Sequence, residues 1–249
     1  MSIEIENKIQ QVVEWLREKV KESGAKGLLV GISGGIDSAV VANLIKRAFP
    51  DNSLGVILPI NSNPKDVEDG IAVAEKAEIK YMEIELSDEK KSILNHVTNA
   101  LKEQGAFDEE RARITDANLR ARLRMSTLYA VANNLNYLVV GTDNEAEVYT
   151  GYFTKYGDGG VDLLPIARLK KYEVFQWAEV LGVPKSVLER KPSAGLWEGQ
   201  TDEAEMGTTY AFIDAFLEGK EIPEKDRGII ERLHRISEHK RVMPPYPEI

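Results

Sequence analysis

Apolar residues along this chain fall into two patterns, helical spacing and short unbroken runs. From Ile5 to Val20, Ile9, Val12, Val13, Leu16 and Val20 fall three or four residues apart, the spacing of an amphipathic helix. Gly24 and Gly27 break that pattern, and Leu28-Leu29-Val30-Gly31-Ile32 follows as a short, unbroken apolar run, as in a strand buried on both faces. Ser38 to Ala48 predicts a helix with Val40, Val41, Leu44 and Ile45 apolar. Leu54 to Ile60 predicts a second strand, Lys65 to Ala77 a helix, and Tyr81 to Leu86 a third strand. Asp88 to Asn134 is helical in period, with Gly105 as its break, and Tyr137-Leu138-Val139-Val140-Gly141 is a fourth strand. Lys171 to Leu181 returns to a helix that Gly182 and Pro184 end. Two more helices, about Glu205 to Leu217 and Pro223 to His239, precede a proline-rich tail from Pro244. Strands alternating with helices predict an α/β fold, a doubly wound, three-layer sandwich around a mostly parallel sheet.

Two stretches carry no period. Thr150 to Leu164 holds Gly151, Gly157, Gly159 and Gly160 and is predicted to be a functional loop; Lys191 to Asp202 is polar, with Gly195 and Gly199, and is predicted to be a mobile lid. With no internal repeat, low-complexity tract or interdomain linker, residues 1–249 are expected to form one domain.

Composition narrows the chemistry. The chain has no cysteine, which excludes disulfides, thiolate metal sites and cysteine nucleophiles. Its net charge is −9, whereas proteins held to nucleic acid by phosphate contacts show a basic face, so no nucleic-acid partner is expected. Acids stand near the amino terminus where a secretory signal would carry Lys or Arg, and no apolar run approaches membrane-spanning length. The expectation is a soluble cytoplasmic protein. An acidic balance still admits small anionic ligands, because backbone amides, local cations and Mg²⁺ can bind phosphate.

The strongest local signal is Gly31-Ile32-Ser33-Gly34-Gly35-Ile36-Asp37-Ser38, between a predicted strand and a predicted helix. Gly34 and Gly35 leave backbone amides unobstructed, Ser33 and Ser38 add hydroxyl donors, and the next helix directs its positive dipole end at the loop. Asp37 would repel phosphates unless a cation stood between, and Mg²⁺ suits that bridge. The Gly-Lys-Ser/Thr ending of a Walker A loop is missing. A plain strand-to-helix turn with Asp37 at the helix terminus is the simpler alternative.

Ser33 to Ser38 resembles the pyrophosphate loop of the ATP pyrophosphatase superfamily, which splits ATP into AMP and pyrophosphate to activate a carbonyl or carboxylate oxygen. Gly141-Thr142-Asp143-Asn144-Glu145-Ala146-Glu147 and Thr150 to Pro165 resemble the signature stretch of NAD synthetases; Asn118 to Met125 and Glu238-His239-Lys240-Arg241 resemble two more motifs of that family. The likeness runs from about Gly24 to about Pro244. It implies the adenine nucleotide alpha hydrolase-like (Rossmann-like) version of the fold and an ammonia-dependent ligase that converts deamido-NAD, ATP and ammonia into NAD, AMP and diphosphate through an adenylated intermediate. It implies that Gly31 to Ser38, Thr142 and Lys171 contact ATP, that Asp37 and Glu147 bind Mg²⁺, and that Arg122, Lys155, Asp162, His239 and Lys240 contact deamido-NAD. The sequence identifies no definite general base for ammonium; Asp158, in the same loop, is named as a candidate. Ser193 stands where many relatives carry Thr near ATP, a change that keeps the hydroxyl. Glutamine-dependent relatives carry a glutaminase domain with a nucleophilic cysteine ahead of the synthetase, and this chain contains neither. A homodimer is implied, with the helices around Ile114 to Ala132 as its candidate surface.

Several of these residues have plainer readings. Arg120, Arg122 and Arg124 cannot all share one helix face, and a solvated or salt-bridged surface would account for two of them. Glu147 and Lys155 could be ordinary surface charges, His239 a structural histidine, and Tyr152, Phe153 and Tyr156 anchors of their loop. A non-catalytic nucleotide-binding module is the rival from another class, but it would not need Asp37 and Glu147 together.

Overall fold

A computed structural model describes residues 2–190, 192 and 201–248. Its elements run α1 (Ser2–Ser23), β1 (Gly27–Gly31), α2 (Ile36–Ala48), β2 (Ser53–Ile57), α3 (Pro64–Lys76), β3 (Lys80–Glu83), α4 (Ser87–Glu103), α5 (Ala112–Leu135), β4 (Tyr137–Val140), α6 (Glu145–Thr150), α7 (Lys171–Leu181), α8 (Lys185–Leu188), α9 (Asp202–Met206), α10 (Tyr210–Leu217) and α11 (Glu224–Ile236). Local signals set several boundaries. The Asn63 side chain accepts from the Lys65 amide to cap α3, and Pro64 occupies its first turn. Asn136, left-handed at φ 57°, closes α5.

The four strands are parallel in the order β3-β2-β1-β4, with Leu28 opposite Ser53, Gly27 opposite Tyr137 and Leu54 opposite Lys80. Successive residues of β1 face opposite sides of the sheet. Leu28 and Val30 pack into a core with Leu16, Leu44 and Trp177, and α1, α2, α3 and α7 cover that face. Leu29 packs with Val56, Val139 and Ala132 on the other face, under α5. A third cluster of Ala146, Met206, Tyr210, Ile213 and Ile230 ties α6 to α9, α10 and α11. Strand order reverses between β1 and β4, and in such sheets that reversal opens a crevice at the carboxyl ends of the two strands.

Three predicted elements differ in extent. The helix expected over Glu205 to Leu217 is split: Gly207, at φ 79°, closes α9, and the Thr209 hydroxyl accepts from the Phe212 amide to start α10. The second and third strands end at Ile57 and Glu83, although the Ile84 and Leu86 amides still donate to the Ile57 and Pro59 carbonyls. The predicted lid at 191–202 lies almost wholly outside the described residues. No helix among the described residues is long and apolar enough to cross a membrane.

Candidate active site at the carboxyl ends of β1 and β4

The turn that leaves β1 is built to present its backbone. Gly34 adopts φ 79°, and a Cβ there would lie 2.5 Å from the Asp66 carbonyl oxygen, so only glycine lets this turn pass so close to α3. Ser33 and Ser38 knit the turn together. The Ser33 amide donates to Ser38 Oγ at 3.2 Å, Ser38 Oγ donates to the Gly35 carbonyl at 2.9 Å, and the Gly35 amide donates to Ser33 Oγ at 3.2 Å. Gly35 is the N-cap of α2 and no side chain caps it, so the first amides of this 13-residue helix open on the same crevice.

The second wall comes from the turn after β4. Asn144 and Glu147 form a reciprocal capping box at the start of α6: the Glu147 amide donates to Asn144 Oδ1 at 3.1 Å, and the Asn144 amide to Glu147 Oε2 at 3.0 Å. The same Asn144 side chain donates from Nδ2 to Asp37 Oδ1 at 2.8 Å. One residue therefore fixes both carboxylates that the sequence singles out. Lys171, at the start of α7, sits between them with Nζ 2.7 Å from Asp37 Oδ2 and 3.3 Å from Glu147 Oε1. Asp214 of α10 holds the start of α7 in place, accepting from the Lys171 and Tyr172 amides at 3.1 and 3.2 Å.

Charge in this crevice is unbalanced. Burial works against the Lys171 charge, but Asp37 and Glu147 outweigh it and keep the ammonium protonated above its ordinary range. Burial pushes the Glu147 carboxyl up to about 7 against the pull of Lys171, and the Asp37 carboxylate adds to the rise. Asp143 is buried on the same turn and its pKa is raised well above the usual carboxylate range, first by burial and then by Asp158, Glu147 and Asp37. One buried ammonium thus faces more carboxylate than it can neutralise.

These groups open on one cavity of about 420 Å³. Gly31, Ile32, Ser33, Gly35, Ile36, Asp37 and Ser38 line it, and so do Thr142, Glu147, Asp158 and Lys171. Lys240 also reaches it, with Nζ held by the Gly151 and Phe153 carbonyls at 2.7 and 2.6 Å. The Asp158 carboxylate accepts from the Thr154 amide at 2.9 Å and so closes the glycine-rich loop on itself. The remaining sequence candidates lie elsewhere. Lys155 donates to the His239 carbonyl, Arg122 Nε donates to the Lys155 carbonyl at 3.3 Å, and the Arg122 side chain borders a separate groove between α4 and α5. Asp162 accepts from the Tyr129 hydroxyl at 2.9 Å and the Val139 amide at 2.8 Å, tying its loop to the end of α5 and to β4. Ser193 lies outside the described residues.

Some lining residues escape a reading of the sequence. Arg124 faces the cavity, donating to the Leu58 carbonyl at 3.0 Å and Ser62 Oγ at 3.2 Å, and burial lowers its pKa to about 10. Arg120, four residues earlier, is buried in an ion pair with Asp116 at 2.8 Å. Of the three arginines, then, the one at the cavity is Arg124. Tyr210 places its hydroxyl 3.0 Å from Glu147 Oε1 and 2.9 Å from Asp202 Oδ2, with its ring 4.6 Å from the Lys171 ammonium. It had no sequence signal, being one apolar position among several on its helix. Arg190 pairs with Asp66 at 2.6 Å at the edge of the same cavity.

Comparison with known proteins gives a consistent picture. The family model described as NAD synthase matches residues 8–244. The NH(3)-dependent NAD(+) synthetase of Alkaliphilus oremlandii is 70% identical over 249 residues, 100% of both chains. Among solved structures, NMN synthetase from Francisella tularensis is 39% identical with a TM-score of 0.90, covering 98% of this chain and 99% of that one. The NH3-dependent NAD synthetase of Campylobacter jejuni in complex with the nitrate ion is 28% identical with a TM-score of 0.76, covering 98% and 99%.

Proposed function

This chain belongs to the NAD synthase family, and on that premise we propose that it amidates the nicotinate carboxylate of deamido-NAD, using ATP and ammonia and releasing NAD, AMP and diphosphate. The observation that carries the reading is the meeting of the β1 phosphate loop with the Asp37–Lys171–Glu147 cluster in one cavity, which the glycine-rich loop from Thr150 also lines.

A carboxylate is a poor acylating agent because oxide would have to leave. Attack of the carboxylate oxygen on the α-phosphorus of ATP converts it into a mixed anhydride from which AMP can leave. The protein's contribution is to position the reactants and neutralise charge. The amides around Gly34 and Gly35 and the start of α2 cradle the phosphates, and Lys171 supplies a buried cation beside them. Thr142 adds a hydroxyl at the cavity wall. Arg122, Lys155, Asp162, His239 and Lys240 belong to the deamido-NAD side of the site: their contacts with the loop and its neighbours hold the surface on which the dinucleotide lies. Ser193 is assigned to the ATP side.

The donor set fits Mg²⁺. Asp37 and Glu147 offer hard oxygens, the surplus negative charge that raises Glu147 calls for a divalent cation, and no closed cage of three or more His, Asp or Glu exists among the described residues. Mg²⁺ suits such a site, since it is commonly held by one or two carboxylates with phosphate oxygens and water completing its shell. Asp37 and Glu147 would hold it, and bound there it would neutralise the departing diphosphate. No covalent enzyme intermediate is required, and ammonia attacks the acyl carbon directly.

The partners are a second copy of the chain and the three small molecules. α4 buries no residue; Ile93 and Val97 on α4 stand exposed beside Ile114 of α5 around a groove of about 410 Å³, and Leu101 is exposed on the same helix. Such a stripe is what a two-fold partner covers. Sedimentation at micromolar concentration should give twice the 27.8 kDa chain mass; a monomer there ends the dimer assignment.

The likeness to NMN synthetase from Francisella tularensis favours a second reading, in which the acceptor is the mononucleotide carboxylate and the product is NMN. An end-point reaction with Mg-ATP, ammonium and either acceptor separates the two, with NAD read by a dehydrogenase and AMP and NMN by chromatography. Matched, ammonium-dependent NAD and AMP are expected with deamido-NAD. AMP and NMN formed only from the mononucleotide would replace the first reading with the second, and neither product from a folded, ATP-binding protein would remove both.

A further inference from the structure

Helix α5 touches both loops of the site. A Cβ placed on Gly31, at the start of the phosphate loop, would lie 3.3 Å from Leu128 Cδ1. One placed on Gly157 would lie 2.9 Å from the Ala121 Cβ, and one on Gly160 3.0 Å from Met125 Cγ. Glycine at these positions lets α5 pack close to the phosphate loop and, about a turn earlier, to the glycine-rich loop. Arg124 stands between those contacts, three residues after Ala121 and four before Leu128, the spacings that share one helix face.

The Arg124 guanidinium is anchored along one edge, by Nε on the Leu58 carbonyl and Nη2 on Ser62 Oγ, both in the connection from β2 to α3. Neither acceptor is charged, and Nη1 finds no acceptor among the described residues. The other cations that line the cavity are already engaged. Lys171 pairs with Asp37 and Glu147, Arg190 with Asp66, and Lys240 donates to the Gly151 and Phe153 carbonyls. Asp158 and Asp66 act on Arg124 through their fields, without an ion pair among the described residues. Burial lowers its pKa only to about 10, so the group stays charged at neutral pH. A fixed guanidinium with one open end and no counterion is a site for an oxyanion.

That oxyanion has to lie where the two loops meet, and there the acceptor carboxylate and the phosphate it attacks bring two negative charges together. We propose that Arg124 binds the α-phosphate of ATP at the point of that attack. The assignment rests on the amidation reading above and adds to it a cation for the phosphorus that reacts. The carboxylate oxygen forms a bond to the α-phosphorus, the bond from that phosphorus to the oxygen bridging to the β-phosphate breaks, and diphosphate leaves with the electron pair. Arg124 keeps its protons throughout. Its open end donates to a non-bridging oxygen of the α-phosphate and offsets the repulsion between the two anions.

Arg124→Met and Arg124→Lys, both screened for native thermal unfolding, test this on the full-length enzyme. Calorimetric binding of AMP and of adenosine isolates the phosphate, and acceptor-dependent exchange of labelled pyrophosphate into ATP reports adenylation. In Arg124→Met, AMP affinity should fall about tenfold or more while adenosine binding stays unchanged. Exchange should slow by about a hundredfold. Arg124→Lys keeps the charge without the fork and should restore part of both losses. If the methionine variant does not fold, the lysine variant decides by the same comparison of AMP with adenosine. Equal losses of AMP and adenosine binding would make Arg124 a brace for the β2–α3 connection and overturn the proposal. Unchanged exchange would overturn it too. So would weakened deamido-NAD binding with AMP binding intact, which would move the contact to the acceptor's own diphosphate. Wild-type enzyme separates the two levels: exchange that no acceptor supports there removes the amidation reading, while the comparison of AMP with adenosine still decides Arg124.

Discussion

Lys171→Met is the sharpest test of the charge arrangement at the site. Methionine keeps an unbranched chain of similar length and removes only the ammonium, so packing against the Tyr210 ring survives while the charge does not. The ammonium side chain is 4% exposed, and its partners Asp37 and Glu147 are 18% and 12% exposed. Removing one partner of a buried ionic cluster leaves the others uncompensated and typically costs about 3–5 kcal/mol. Glu147 softens that cost, because a carboxyl already raised to about 7 can take up a proton. The lower end applies, and a loss of about 3 kcal/mol is expected from urea unfolding. For a chain of this size that is a fall in Tm of about 6–12 °C. The triple variant Asp37→Asn, Glu147→Gln, Lys171→Met carries no unpaired charge and should regain most of the loss, although it cannot make AMP. Single-variant stability within about 0.5 kcal/mol of wild type, less than the measured spread for surface substitutions, would refute the reasoning, as would a triple variant no more stable than the single one.

Other changes probe separate links. Gly34→Ala forces a side chain into a left-handed turn and into the Asp66 carbonyl, so ATP binding by calorimetry should be lost and stability should fall by at least about 1–2 kcal/mol. Tyr210→Phe deletes a hydroxyl shared by Glu147 and Asp202 but keeps the ring over Lys171. It should cost about 1.5–3 kcal/mol in urea unfolding and slow pyrophosphate exchange, and a neutral effect on both would contradict the geometry. In metal-free protein the raised Glu147 favours the protonated form when folded. Its contribution to stability is complete below about 4.5, the unfolded value, and is lost as pH rises through about 7. Glu147→Gln should flatten that stretch of the stability profile, and an unchanged slope would assign it to other groups.

The chain's own order carried a great deal. Short unbroken apolar runs and period-3.6 apolar spacing placed all four strands and most of the helices, because each element must bury apolar surface whatever its neighbours are. The turn from Gly31 to Ser38 was legible for a similar reason: two glycines and two hydroxyls between a strand and a helix shape the backbone within eight residues of sequence. Tertiary structure alone decided which distant groups meet. Asp37, Glu147 and Lys171 are separated by 110 and 24 positions, and they converge because β1 and β4 lie side by side while Asp214 pins the start of α7 beside them. Sequence spacing could not tell that Arg124, rather than its helix neighbour Arg122, faces the cavity, since that depends on how α5 rolls against the sheet. A side chain's partners are set by three-dimensional packing, and a buried charge acquires its cost only once the fold has removed its water.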